Sequence, residues 1–348
     1  MHGPTQRILL VYTGGTIGMK ESPQGLIPVS VDDLLEQLPD LGSLPLELSL
    51  CSLDQPMDSS DLQPRHWQEM GSLIAGKADE FDGFLVLHGT DTMAYSSAAL
   101  SFMLQQLNKP VIFTGSQLPL SHPRSDAGSH LMSALELASA CNSDGSPKIP
   151  EVTLYFNHQL YRGNRVRKIH ALGFDAFDSP NFPVLARAGT RMVISEEVIG
   201  QGMPVPDRTE SVTKGLRWRP ELDTAVGSIK CIPGMSGKAL DKYLKDMDFK
   251  VLLLEAYGTG NIPNDTTLLD ALRSMVARGG QVVALSQCLG GRVDLNQYQA
   301  GRRLLDLGAL EGKDISFEAA LTKSMHLLGC GVPDFAEAFG RSLAGEIS

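Results

Sequence analysis

Short apolar runs recur along the chain, separated by longer amphipathic stretches. Ile8–Tyr12, Phe84–His88, Val111–Phe113 and Val152–Phe156 are apolar throughout or nearly so, which predicts strands buried on both faces. Between them, Val31–Leu38, Pro64–Ala75, Ala94–Leu107 and Ser129–Ala140 carry the helical pattern, with Pro64 suited to a first helical position. Strand–helix alternation of this kind predicts an α/β fold, a parallel sheet with helices on both faces. The pattern breaks over Glu197–Pro220, which holds Gly200, Gly202, Pro204, Pro206, Gly215 and Pro220 among many charges. It then resumes, with strands at Val251–Leu254 and Val282–Leu285 and helices at Thr267–Ala277 and Glu318–Leu328. The expected organisation is a larger N-terminal α/β domain over residues 1–200, a linker at 201–221 and a smaller C-terminal α/β domain over 222–348.

The length of 348 residues agrees with two domains, and 42% hydrophobic with 20% charged residues describes a globular chain. The net charge of −10 argues against nucleic-acid binding, which needs a basic stripe. Cys51, Cys141, Cys231, Cys288 and Cys330 are odd in number and widely spaced, so neither a disulfide framework nor a zinc knuckle is expected. The apolar run at Ile8–Tyr12 is too short for a signal segment or a membrane span. These features predict a cytoplasmic protein with no membrane or nucleic-acid partner, no metal and no cofactor.

In open α/β sheets, ligands bind beyond the carboxyl ends of the strands. The strand ends here read Thr13-Gly14-Gly15-Thr16-Ile17-Gly18, Gly89-Thr90-Asp91-Thr92, Thr114-Gly115-Ser116-Gln117 and Tyr257-Gly258-Thr259-Gly260-Asn261. Each sets a glycine beside a hydroxyl. Neither the Gly-x-Gly-x-x-Gly spacing nor a Gly-Lys-Ser/Thr sequence is present in the first loop, which argues against a nucleotide. Any one of these loops is also readable as an ordinary glycine turn. A threonine nucleophile needs a base, and no Gly-x-Ser-x-Gly elbow offers a serine instead. His88 ends an apolar run, where a structural histidine is expected. Lys168, at the end of the cluster Arg162, Arg165, Arg167 and Lys168, is a candidate for proton handling; a solvated basic loop is the bland alternative.

The two segments Thr13–Gly18 and His88–Thr92 resemble the signatures of bacterial-type L-asparaginases. Further likenesses are Met57-Asp58-Ser59-Ser60-Asp61, Thr114–Gln117, Tyr161–Arg165, Phe174–Phe177, Ser179–Asn181, Tyr257–Asn261 and Ala319–Lys323, so the resemblance spans the chain. The wording of the Met57–Asp61 and Thr90–Tyr95 segments resembles the cytoplasmic (type I) branch. The resemblance implies hydrolysis of L-asparagine to aspartate and ammonia through an acyl-enzyme. It implies Thr16 as nucleophile, and Thr90, Asp91 and Lys168 as a second triad. Asp91 also receives the substrate ammonium. Asp58, Ser59 and Ser60 bind the α-carboxylate, although the same residues are suited to capping the helix near Pro64. Main-chain N–H groups near Gly15 and Thr90 are the implied oxyanion donors. It also implies a homodimer or homotetramer.

Two positions depart from the pattern. Leu26 stands where many relatives carry a loop tyrosine, and Tyr298 is the substitute that some type I relatives offer; a packing tyrosine is the alternative. Cys288 matches a regulatory asparagine site, but Glu255 stands where an arginine is expected and Arg167 where a small hydroxyl residue is common. Substrate cooperativity is therefore expected to be absent or altered. Competing readings are a glutaminase or dual-specificity enzyme, an ammonia-supplying amidotransferase subunit, and a non-catalytic amino-acid sensor. The start of the chain close to its first strand weighs against the amidotransferase subunit. The set Thr16, Thr90, Asp91 and Lys168 weighs against the sensor.

Overall fold

The computed structural model describes residues 5–23, 25–29, 33–34, 36, 44, 46–203 and 216–348. The chain forms two compact units, Met1–Pro220 and Glu221–Ser348. The helix expected at Val31–Leu38 falls largely outside the described residues.

The first unit holds strands β1 (Gln6–Gly14), β2 (Met19–Ser22), β3 (Gly25–Pro28), β4 (Leu46–Met57), β5 (Gly83–Leu87), β6 (Leu104–Gln105), β7 (Val111–Thr114), β8 (Val152–Phe156), β9 (Gln159–Arg162), β10 (Arg167–Lys168), β11 (Phe177–Asp178), β12 (Ala186–Ala188), β13 (Met192–Ile194) and β14 (Arg217–Trp218). Eight of them form one sheet in the order β13-β12-β9-β8-β7-β5-β1-β4. From β4 to β8 the strands are parallel, as the apolar runs predict. The remaining three are antiparallel, which the alternation did not predict. The reason is local: β8 and β9 are joined only by Asn157 and His158, both at positive φ (43° and 64°). A two-residue turn of that hand closes a hairpin, whereas a parallel return needs a long crossover.

Ile8, Leu10, Tyr12, Leu85, Leu87 and Ile112 pack with Leu131, Ala134 and Leu135 of the helix Ala127–Ala138 in one core. The alternate residues Leu9, Val11, Phe84, Val86, Val111 and Phe113 are buried as well. Each fully buried aliphatic or aromatic side chain contributes about 1.5–3 kcal/mol. The result is a rigid platform whose carboxyl edge carries the loops.

Two expectations need correction here. The helix from Met93 stops at Met103, not Leu107, because Leu104–Gln105 pairs antiparallel with Arg217–Trp218. For the same reason the end of the supposed linker is docked structure. A Cβ on Gly71 would lie 2.1 Å from the Trp218 ring, so the helix Pro64–Gly76 accepts the indole only because residue 71 lacks a side chain. Gln68 Nε2 also donates to Pro220 O at 2.7 Å.

The second unit contains β15 (Val226–Lys230), β16 (Val251–Ala256), β17 (Gln281–Ser286) and β18 (Leu310–Glu311), all parallel and in that order. Leu252, Leu254, Val282 and Ala284 pack against Leu268 and Leu272 of the helix Thr266–Ala277. Asp265 accepts from Thr267 N and Leu268 N, which starts that helix. The helix Phe317–Gly329 carries Lys323, fully buried, whose ammonium donates to Phe339 O (2.7 Å), Arg341 O (2.6 Å) and the Glu346 carboxylate. None of the five cysteines forms a disulfide. Among the described residues, no helix is long and apolar enough to cross a membrane, and no side-chain cluster has the make-up of a metal site.

Candidate functional site

Three loops at the carboxyl edge of the first sheet meet main chain against main chain. At the end of β1, Gly14 and Gly15 adopt φ of 109° and 86°. Gly15 N donates to Met57 O at 3.2 Å, and a one-turn 3-10 helix, Thr16–Gly18, follows. Tyr12 Oη donates to Gly18 O at 2.9 Å; burial pushes this hydroxyl up to about 12, so it remains a donor. A Cβ on Gly15 would lie 2.3 Å from Gly89 N, and a Cβ on Gly89 would lie 2.5 Å from Ser59 Oγ. Thr92 Oγ1 donates to Ser59 O at 2.8 Å. Half-buried Thr16 and buried Thr90 therefore each follow a glycine of one shared contact.

Lys168 reaches the second of these loops from β10, which pairs with β11. Its Nζ lies 2.8 Å from Thr90 Oγ1 and 2.6 Å from Asp91 Oδ1. Lys168 thus joins the adjacent Thr90 and Asp91, 78 and 77 residues earlier in the chain, in one hydrogen-bonded group. Thr90 Oγ1 also donates to Gln117 Oε1 at 3.4 Å. Gln117 closes the strand-end segment Thr114–Gln117, where the sequence assigns its amide no role. The Asp91 side chain is 64% exposed, so its ion pair with Lys168 orients the ammonium more than it stabilises the fold.

Ser59 is buried under Gly89, whereas Asp58 and Ser60 are exposed. Asp58 Oδ1 accepts from Ser60 N at 2.8 Å and caps the short 3-10 turn Ser59–Asp61. Its capping role is therefore not for the helix at Pro64, which is capped by Gln63 paired with His66. Tyr298 belongs to the second unit, where it is the 53% exposed N-cap of the helix Gln299–Asp306. Its side chain makes none of the hydrogen bonds just described. Leu26 lies on β3, opposite Glu21.

The arginines before Lys168 are not a solvated loop. Arg162 is buried against Glu151 at 2.7 Å and lies 4.3 Å above the Phe182 ring, with Arg165 5.1 Å from the same ring. Their signal, Glu151 eleven residues upstream, is not a local one. His88 is structural: its Nδ1 meets Gly89 O (2.7 Å), its Nε2 meets Ser96 Oγ (2.8 Å), and burial pushes its pKa down to about 4. In the second unit, half-buried Glu255 ends its half of the β15–β16 pairing opposite Lys230, and exposed Cys288 donates its N–H to Ser286 Oγ at 3.0 Å.

Comparison with known proteins follows the same lines. The family described as "Asparaginase, N-terminal" matches residues 7–199, and "Glutaminase/Asparaginase C-terminal domain" matches residues 225–338. L-asparaginase 1 of Escherichia coli is 40% identical, with 98% of both chains covered. The crystal structure of L-asparaginase I from Vibrio cholerae superposes with a TM-score of 0.85 at 38% identity, covering 99% of both chains. The thermostable L-asparaginase from Thermococcus kodakarensis superposes with a TM-score of 0.84 at 34% identity, covering 98% of this chain and 99% of the other. The chain belongs to the asparaginase/glutaminase family.

Proposed function

We propose that the protein is an L-asparaginase that hydrolyses L-asparagine to L-aspartate and ammonia, with Thr16 as nucleophile. The observation that carries this reading is Lys168 Nζ seated on both Thr90 Oγ1 and Asp91 Oδ1, in a loop whose Gly89 abuts Gly15. Thr16 Oγ attacks the side-chain amide carbon, and the proton it gives up passes by way of the Thr90 hydroxyl to the amide nitrogen, the leaving group. The tetrahedral intermediate collapses to a Thr16 ester, and the amide nitrogen leaves as ammonia after gaining a proton. Water then hydrolyses the ester. Thr90 and Lys168 relay protons, and Asp91 holds the Lys168 ammonium while its second oxygen is assigned to the substrate ammonium. Because Gly15 N is engaged with Met57 O, we assign the oxyanion to the N–H groups of Thr16 and Thr90. Ser59 and Ser60, held by the Asp58 cap, are assigned to the substrate α-carboxylate. The resemblance also offers Tyr298 as the hydroxyl absent at Leu26. Cytoplasmic residence and a homo-oligomer are part of the same reading.

Ammonia release from L-asparagine and L-glutamine tests the proposal with purified wild type, Thr16→Ala and Lys168→Met. The expected result is wild-type turnover of asparagine without any partner protein, none in Thr16→Ala, and a kcat loss of about 10²–10⁴-fold in Lys168→Met. An inactive wild type would refute the enzyme reading, and activity in Thr16→Ala would refute the nucleophile. One methylene alters binding by only about 1–3 kcal/mol, so the glutamine arm measures selectivity.

A further inference from the structure

Lys168 and Thr90 leave one proton to be placed. A lysine ammonium has donors only, so in the contact at 2.8 Å Thr90 Oγ1 is the acceptor. The hydroxyl hydrogen of Thr90 must then point elsewhere, and its acceptor is Gln117 Oε1 at 3.4 Å. The direction of the Gln117 amide is set at its other end. Nε2 donates to Gly173 O at 2.8 Å and to Ala171 O at 3.4 Å, and only the NH2 face can meet two carbonyls. Ala171 and Gly173 lie in the stretch that leaves Lys168, so one carboxamide ties the loop after β7 to both partners of the Lys168–Thr90 pair.

The main chain under Gln117 is clamped as well. Asp126 accepts from Gln117 N at 2.9 Å and Leu118 N at 3.1 Å. His130 stands 3.6 Å from Asp126, meets Gly115 O through Nδ1 at 2.9 Å, and accepts Asn157 N–H through Nε2 at 3.0 Å. Those partners demand a neutral ring with its proton on Nδ1, and burial lowers its pKa in the same sense. Ser116 Oγ and Ser125 Oγ both donate to Leu118 O, at 2.6 and 3.2 Å. Gln117 is a flexible residue type on a loop pinned from behind.

We propose that Gln117 is a positioning residue that orients the Thr90 hydroxyl proton away from Lys168 and keeps the Lys168 stretch in register with Thr90. It rests on the reading of Thr90 and Lys168 as the proton relay. It needs no chemistry of its own: Gln117 neither gains nor loses a proton.

Ammonia release from asparagine by wild type, Gln117→Leu and Gln117→Glu, measured across pH, is the test. Gln117→Leu has neither acceptor nor donor and is expected to lose roughly tenfold or more in kcat, with KM within about threefold. A protonated glutamic acid offers one acceptor and one donor, as the amide does; an ionised one faces the Ala171 and Gly173 carbonyls with no donor. The activity of Gln117→Glu relative to wild type should therefore be near one at acid pH. It should fall toward that of Gln117→Leu as pH rises through the carboxyl range of about 4–5. Wild-type kcat in Gln117→Leu, or a Gln117→Glu ratio that does not change with pH, overturns the proposal. If Gln117→Leu does not fold, the Gln117→Glu ratio decides alone. A wild type inactive on asparagine overturns the underlying reading and this one together; an active wild type with an indifferent Gln117 overturns this one only.

Discussion

Gly15→Ala tests the claim that main-chain contact sets the spacing of the two threonine loops. The added Cβ would sit 2.3 Å from Gly89 N and 2.5 Å from Gly89 Cα, whereas ordinary contact is 3.4–4 Å. Relief requires the loops to part by about 1 Å, since backbone atoms cannot rotate away as a side chain does. Overpacking of this kind costs about 1–3 kcal/mol. The φ of 86° at this position adds about 1–2 kcal/mol for a residue with a Cβ. At roughly 2–4 °C per kcal/mol for a unit of this size, the first unit should melt roughly 4–20 °C lower. A displacement of about 1 Å between reacting groups also lowers kcat by about 10²-fold. Differential scanning calorimetry and ammonia release measure the two effects. Gly128→Ala is the control: it lies in the helix Ala127–Ala138, its Cβ would meet nothing within 4 Å, and the change should stabilise by up to about 1 kcal/mol. Gly15→Ala with a melting point within about 2 °C of wild type and full kcat would refute the argument.

Further outcomes are expected. His88 titrates at about 4 in the fold against 6.5 when unfolded, so the unfolded chain binds the extra proton between those values. Stability is fully present above about 6.5 and falls by about 3 kcal/mol as pH drops toward 4, with His130 adding in the same direction; urea midpoints should fall less steeply across that range in His88→Gln, leaving the His130 share, and an unchanged slope would overturn the assignment. Glu151→Gln leaves the Arg162 guanidinium buried without its carboxylate and should cost about 3–5 kcal/mol, read from urea unfolding. Tyr298→Phe should lower kcat if its hydroxyl serves Thr16, and an unchanged kcat removes it from the site. Glu255, placed where a carboxylate-binding arginine is expected, would repel an asparagine carboxylate, so initial rates should follow a hyperbola in asparagine concentration; a sigmoidal curve would overturn this.

The parallel part of the first sheet was legible because its strands are buried on both faces and read as unbroken apolar runs such as Val152–Phe156. The elements that the apolar runs do not predict differ in kind. Leu46–Met57 carries the alternation Leu-Glu-Leu-Ser-Leu, a signal of an edge strand that a search for continuous runs passes over. The helix Gly237–Asp246 announces itself by Leu240, Leu244 and the Ser236 cap, again by spacing and not by an apolar block. The strands β12 and β13 have three residues each and are defined by partners, not by their own composition. At the candidate site, Thr16, Thr90 and Asp91 are legible in the sequence as strand-end residues. Lys168 gained its reading from the resemblance, because two of the arginines clustered before it serve the core: Arg162 turns to Glu151 and Phe182, and Arg165 to Phe182. Gln117 has meaning only beside Thr90 and Gly173 in space.

The buried Lys323 has a consequence for how the second unit is made. Its helix emerges from synthesis before Phe339, Arg341 and Glu346, the groups that complete its charge and hydrogen bonds. Until those residues are available, closing the core around Lys323 would bury an unpaired cation, which is strongly unfavourable. The unit therefore has a late checkpoint. Its core should stay open on a chain that stops short of Glu346.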